Sequence, residues 1–217
     1  VLSGSEPKPV LIRGIGPTLS AFGVGDALAG VRLEVFRGQT SIATGADWGS
    51  SSNNPAEVAA VASRVGAFAL QPNSRDAALV LNLAPGAYSA VVTGQSGTSG
   101  VALVEVYDAT SGTGPLSQRV VNVATRALAG TGENALIAGF YVSGSAPKRV
   151  LIRGVGPALT QFGVSGALAR PQLTIASGAN ILAQNSGLAS SAEAASIVAA
   201  AAQVGAFALP ANAADAA

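Results

Sequence analysis

The sequence predicts an all-β protein built from tandem antiparallel β-sandwich, jelly-roll-like repeats with one short helix per unit. Three observations predict it. The first is a duplication: VLIRGIGPTLSAFGVGDALA at residues 10–29 returns as VLIRGVGPALTQFGVSGALA at residues 150–169, with fourteen of the twenty positions unchanged. Self-similarity at a fixed offset marks repeated structural units. The match continues outward, because SGSEPKP at residues 3–9 answers SGSAPKR at 143–149, and VGAFAL at 65–70 recurs at 204–209. The second observation is a succession of short apolar runs separated by Gly-rich turns, the spacing of an all-β chain. The third is a single stretch of helical spacing in each copy.

Taken in order, Val1 to Pro9 correspond to Tyr141 to Arg149, which follow the run ALIAGFYVSG, so the chain is expected to open partway through a strand. VLIRG is a β-branched run broken by Gly14, Gly16 and Pro17. Pro17 can open a short helical turn, since proline is tolerated at a first helical position. VRLEVF at 31–36 alternates apolar and polar residues, as a half-buried strand does. After the turn RGQTS, SIAT supplies a second short strand, and GADWGSSSNNP reads as a loop. In residues 55–68, Val58, Val61, Ala62 and Val65 fall on one helical face and Gly66 is the stop signal. The second copy repeats this face with Ile197, Ala201 and Val204.

AALVLNL, AYSAVV and VALVEVYDA then read as three strands, and Pro115 marks a linker. RVVNVATRALAG and ENALIAGFYVSG are expected to add further strands before the second VLIRG, for roughly eight strands per unit. The resulting domains are residues 1–112, a first repeat lacking its N-terminal strands, and 113–217, a second lacking its C-terminal strands.

Composition narrows the function. Charged residues are 11% of 217, the net charge is +1, and apolar residues reach 49% with only 5% aromatic. No field attracts phosphate backbones or anionic membranes, so nucleic acid is not an expected partner. So few charges on so apolar a chain favour self-association. Without Cys, His or Met, there are no disulfides, no thiol chemistry and no imidazole base or ligand. No apolar run is long and unbroken enough for a membrane span, and the first residues contain no signal-peptide pattern.

Residues 76–109, DAALVLNLAPGAYSAVVTGQSGTSGVALVEVYDA, resemble bacterial pre-peptidase C-terminal type domains in their order of strand, APGAY turn, strand, Gly/Ser/Thr loop and closing strand. The preceding VRLEVFRGQTSIATGADW is similar to the same family's strand, turn, strand and acidic loop. The resemblance covers residues 31–109, and the VLIRG part less well. It implies a β-sandwich module of the kind appended to secreted enzymes and surface proteins, and the whole unit looks like repeats of very large secreted proteins. Members can carry calcium in the acidic loop. Here that loop offers Asp47 beside Trp48, and the second copy has Ser186, Gly187 and Leu188, short of the six to eight oxygens calcium takes.

Residues that imitate a site each have a structural reading. VLIRGIGP followed at 20 residues from Gly14 by Glu34 imitates a dinucleotide fingerprint, but the third glycine is missing and Thr174 replaces Glu34 in the repeat. Arg13 and Arg153 stand in apolar runs and need a carboxylate or a cluster of carbonyls, with Glu105 and Asp108 as candidates for Arg13; the functional alternative is an anion or glycan contact. Glu34, Asp47, Glu105 and Asp108 carry no pattern of a facing catalytic pair. Lys8 and Lys148, the only lysines available to activate a serine, fall in Pro-flanked turns.

No catalytic, cofactor-binding or metal residue is assigned, and no cofactor is expected. The expected function is that of a non-enzymatic subunit of an extracellular bacterial filament or surface layer. Its partner is itself, joined head to tail by strand complementation. The alternative is a glycan- or calcium-binding module of a larger secreted enzyme or adhesin, with a cell-surface glycan as partner.

Overall fold

A computed structural model of the chain describes residues 1–50, 54–111, 119–142, 145–210 and 213–217. Among the described residues the regular structure is mostly antiparallel β-sheet, with two short α-helices and several 3-10 turns. It divides into two compact units, Val1–Ala124 and Thr125–Ala217. The boundary expected between 112 and 113, the Pro115 linker and part of the SSSNNP loop lie outside the described residues.

In the first unit β1 (Leu2–Ser3), β2 (Lys8–Ile15), β3 (Val31–Arg37) and β4 (Thr40–Ala46) precede helix α1 (Pro55–Arg64). Strands β5 (Ala77–Leu83), β6 (Ser89–Gly94), β7 (Leu103–Asp108) and β8 (Arg119–Val120) follow it. One three-stranded sheet has the order β5-β2-β7, another β4-β3-β6, and β1 pairs with β8. Leu2 opposite Val120 and Ser3 opposite Arg119 tie the last of these residues into the first unit. The alternation seen in VRLEVF is realised, for Val31, Leu33 and Val35 are buried while Arg32 points outward.

β2 is the centre of this unit. Its residues alternate between two cores: Val10 and Ile12 pack with Val31, Leu33, Val35 and Leu79 against the second sheet. Leu11 and Ile15 pack with Val58, Val61 and Ala62 under α1. A strand covered on both faces is apolar wherever a polar side chain has no partner, so VLIRG has no polar alternation and only Arg13 interrupts it. Gly14 lets the sheets approach, since a Cβ there would lie 2.8 Å from Val31 Cγ1 and 2.9 Å from Val92 Cγ2.

Helix α1 opens on Pro55, with Asn54 Nδ2 donating to Glu57 Oε2 at 2.7 Å. It stops before Gly66, which takes the left-handed φ of 74° that glycine accepts without strain.

The second unit holds β9 (Leu173–Ser177), β10 (Asn180–Asn185) and α2 (Ala194–Gln203). β9 and β10 form a two-stranded hairpin. Both predicted helices are therefore present, but the predicted strands are fewer. RVVNVATRALAG supplies only Arg119–Val120, ENALIAGFYVSG supplies none among the described residues, and the second VLIRG makes a single bridge, Gly154 to Ala216. A strand forms only where a neighbour takes its N–H and C=O groups. Leu128, Ile137 and Tyr141 are correspondingly exposed, each by more than four-fifths.

Candidate functional site

The repeated block builds the same local cluster twice. In each copy Pro17 or Pro157 opens a six-residue 3-10 turn, Pro17–Phe22 or Pro157–Phe162. Gly16 and Gly156 are required before it, because a Cβ would fall 2.2 Å from Leu28 O and 2.0 Å from Leu168 O. The glycines of VLIRGxGP thus serve a tight turn. Phe22 and Phe162 at the turn ends meet Phe68 and Phe207 edge to face at 5.0 Å. The Arg13 and Arg153 guanidinium carbons each lie 4.4 Å from the Phe68 or Phe207 ring centre. Arg13 Nη1 donates to Phe68 O at 2.6 Å and Arg153 Nη1 to Phe207 O at 2.7 Å.

The copies then diverge. In the first, β7 places Glu105 directly opposite Arg13. Arg13 Nε and Nη2 donate to Glu105 Oε2 at 2.7 and 2.5 Å, and the Tyr107 hydroxyl donates to Oε1 at 2.9 Å. Of the two carboxylates sequence offered, Glu105 is the partner of Arg13. Burial raises the Tyr107 pKa, and the hydrogen bond to Glu105 raises it further.

Asp108 instead takes Lys8 Nζ at 2.6 Å, while Lys8 also donates to Thr110 Oγ1. Lys8 opens β2 and is wholly buried, which corrects its reading as a turn residue. Burial alone would raise the Asp108 pKa, but hydrogen bonds from Lys8 and Thr110, with the Lys8 charge, outweigh it and hold the carboxyl below its ordinary range. In the second unit no carboxylate is paired with Arg153 among the described residues, and burial lowers its pKa against the opposing charge of Asp215.

A second carboxylate, which sequence reading passed over, organises each turn. Asp76 is buried and its Oδ1 accepts from Gly16 N at 2.8 Å and Thr18 N at 3.4 Å. Its Oδ2 accepts from the Thr18 and Ser74 hydroxyls, both at 2.5 Å. Asp215 occupies the same place in the repeat, with Gly156 N at 2.7 Å and Ala158 N at 3.2 Å on Oδ1. Its Oδ2 has no partner among the described residues. The available signal was the aspartate that opens both DAAL and DAA at matching positions.

The remaining acids do not converge with these. Glu34 lies 3.7 Å from Arg32 on β3, and Asp47 lies 3.7 Å from Arg75 in its loop. Lys148 is exposed. Among the described residues no three Asp, Glu, His or Cys side chains gather to hold a metal, and no helix is long and apolar enough to cross a membrane. No family model, curated protein or solved structure matches the chain.

Proposed function

We propose that this chain is a non-enzymatic structural subunit of an extracellular filament or surface layer, in which both units are copies of one β-sandwich. Copies join head to tail when β7 of one adds through its free edge to segment 149–155 of the next. One observation carries it. β7 is hydrogen-bonded along one edge, to β2, and has no strand on its other edge among the described residues. An open edge of that kind recruits a strand.

β7 suits it on three grounds. It is an outer strand of the order β5-β2-β7. Its Val104 and Val106 are 43% and 48% exposed although they belong to a strand. It also bears Glu105, the carboxylate that Arg13 already uses and that Arg153 lacks. A register copying Arg13 opposite Glu105 would set Arg153 against Glu105 and Ile152 against Val106. Such a contact uses two different surfaces and does not close, so it propagates into a fibre.

The chain has no cysteine, which makes crosslinking clean. Val106→Cys and Ile152→Cys variants, mixed and oxidised, should yield crossed dimers in preference to self-dimers. Wild-type chain should show concentration-dependent growth by sedimentation and fibres by electron microscopy. A single-chain mass at every concentration, with no crossed dimer, rejects the reading.

A further inference from the structure

Arg153 keeps two attachments of Arg13 and lacks a third. Its guanidinium stacks on Phe207 and its Nη1 donates to Phe207 O, as Arg13 does with Phe68. In the first unit Nε and Nη2 then meet the Glu105 carboxylate, and the Tyr107 ring centre lies 5.7 Å from the same guanidinium carbon. No carboxylate is paired with Arg153 among the described residues. Asp215 acts on it through charge alone, and its counterpart Asp76, under the same turn in the first unit, does not keep Arg13 from bonding Glu105.

Beside Arg153, which is half-buried, opens a cleft of about 150 Å³ walled by Leu188, Ile197, Val198, Ala201 and Ala202. Two differences from the first unit open it. There the cluster under the helix also packs against Trp48, Val80 and Tyr107. Leu188 takes the place of the larger Trp48, for each donates its N–H to the carbonyl of the buried aspartate, at 2.7 and 2.8 Å. Among the described residues no strand runs beside 149–155 to supply counterparts of Val80 and Tyr107.

We infer that this cleft binds a small monocarboxylate bearing an apolar group the size of a benzene ring, its carboxylate on Arg153 and its apolar group against α2. An apolar cavity of about 150 Å³ holds benzene, which sets the size. The guanidinium fork matches the two oxygens of a carboxylate. Phosphate or sulfate would turn further charged oxygens toward aliphatic walls that cannot bond them, and the hydroxyls of a sugar would meet the same walls. A cation is repelled by Arg153. The ligand reproduces what β7 gives Arg13, a carboxylate and an aromatic ring.

The site is tested on the dilute intact chain, where no neighbour's Glu105 competes for Arg153, so its outcome is separate from that of assembly. Amide chemical shifts would be followed while phenylacetate is added, with 2-phenylacetamide as the probe without charge and acetate as the probe without a ring. Saturable shifts are expected at Arg153, Leu188 and Ala201, with none at Arg13, Trp48 and Ala62, and both control probes should bind at least tenfold more weakly. Arg153→Leu should weaken phenylacetate at least tenfold. Ala202→Phe, at an exposed position of α2, should do the same by filling the cleft while the charge stays. The inference is overturned by any of three results: no saturable shift around Arg153, equal binding of either control probe, or unchanged phenylacetate affinity in either variant.

Discussion

The two units start from one block of sequence and reach different ends. In the first, VLIRG is a central strand buried on both faces, and Arg13 is enclosed by Glu105, Phe68 and Tyr107. In the second, the same five letters make one bridge, and Arg153 keeps its phenylalanine but has no paired carboxylate among the described residues. α1 buries Val58, Val61 and Ala62, whereas α2 buries only Ala201 and leaves Val198 and Val204 exposed. A strand and the helix that covers it are stable together; without paired strands the helix loses the surface it packs on. The difference teaches that VLIRG is a ladder strand where β5 and β7 flank it and makes a single bridge where, among the described residues, no such strands do.

The comparison can be broken most directly by amide exchange. In dilute monomer, the amides of Leu11, Ile12 and Arg13 should exchange at least about a thousandfold more slowly than those of Leu151, Ile152 and Arg153. Equal protection in both would remove the distinction, while protection of the second set on concentrating the chain would tie it to assembly.

Next in size is the ion pair. Glu105→Ala leaves a wholly buried guanidinium uncompensated and should cost the first unit about 3–5 kcal/mol in urea unfolding. Arg153→Leu should change the second by less than about 1 kcal/mol, since one hydrogen bond and a half-exposed stack are lost.

A smaller contrast is steric. Gly14→Ala drives a methyl into Val31 and Val92 and should cost about 1–3 kcal/mol. Gly154→Ala meets nothing nearer than 3.7 Å and should stay within about 0.5 kcal/mol. Comparable to the first of these, the double change Thr18→Ala, Ser74→Ala imposes the second unit's unpartnered oxygen on Asp76, with an expected loss of about 1–3 kcal/mol.

The least effect is electrostatic. Asp108 is held below its ordinary pKa in the folded chain, so its contribution is present above the unfolded value and fades as pH falls through the folded one. Urea midpoints measured downward from about pH 5 should therefore drop more steeply in wild type than in Asp108→Asn.

Much of the first unit was legible in advance. β3 and β4 followed from alternation and a turn, α1 from its apolar face and Gly66, and β5, β6 and β7 from apolar runs between glycines. The need of Arg13 for a carboxylate or carbonyls, with Glu105 and Asp108 as candidates, followed from the cost of burying a charge, while the register of β2 beside β7 selected Glu105. Lys8 was misplaced because a lysine between prolines looks like a turn; only the register beside β7 reveals Asp108 within reach. Asp76 escaped notice because its partners are backbone amides and small hydroxyls, which have no distinctive pattern. The strands expected over residues 121–142 did not form, because apolar runs state a preference and a ladder requires a neighbour.

Sequence alone determined what repeats at short reach: the glycine-proline turn, the helix, the arginine on phenylalanine and the aspartate under the turn appear in both copies. Their partners lie inside the repeat, 54 residues from Arg153 to Phe207 and 59 from Gly156 to Asp215. Tertiary structure alone decided whether VLIRG became a strand. Its ladder needs β5 and β7, and the carboxylate for Arg13 comes from 92 residues away. Backbone hydrogen bonds and buried charge are satisfied by whichever segment arrives alongside, and a run of residues cannot specify a neighbour it does not contain.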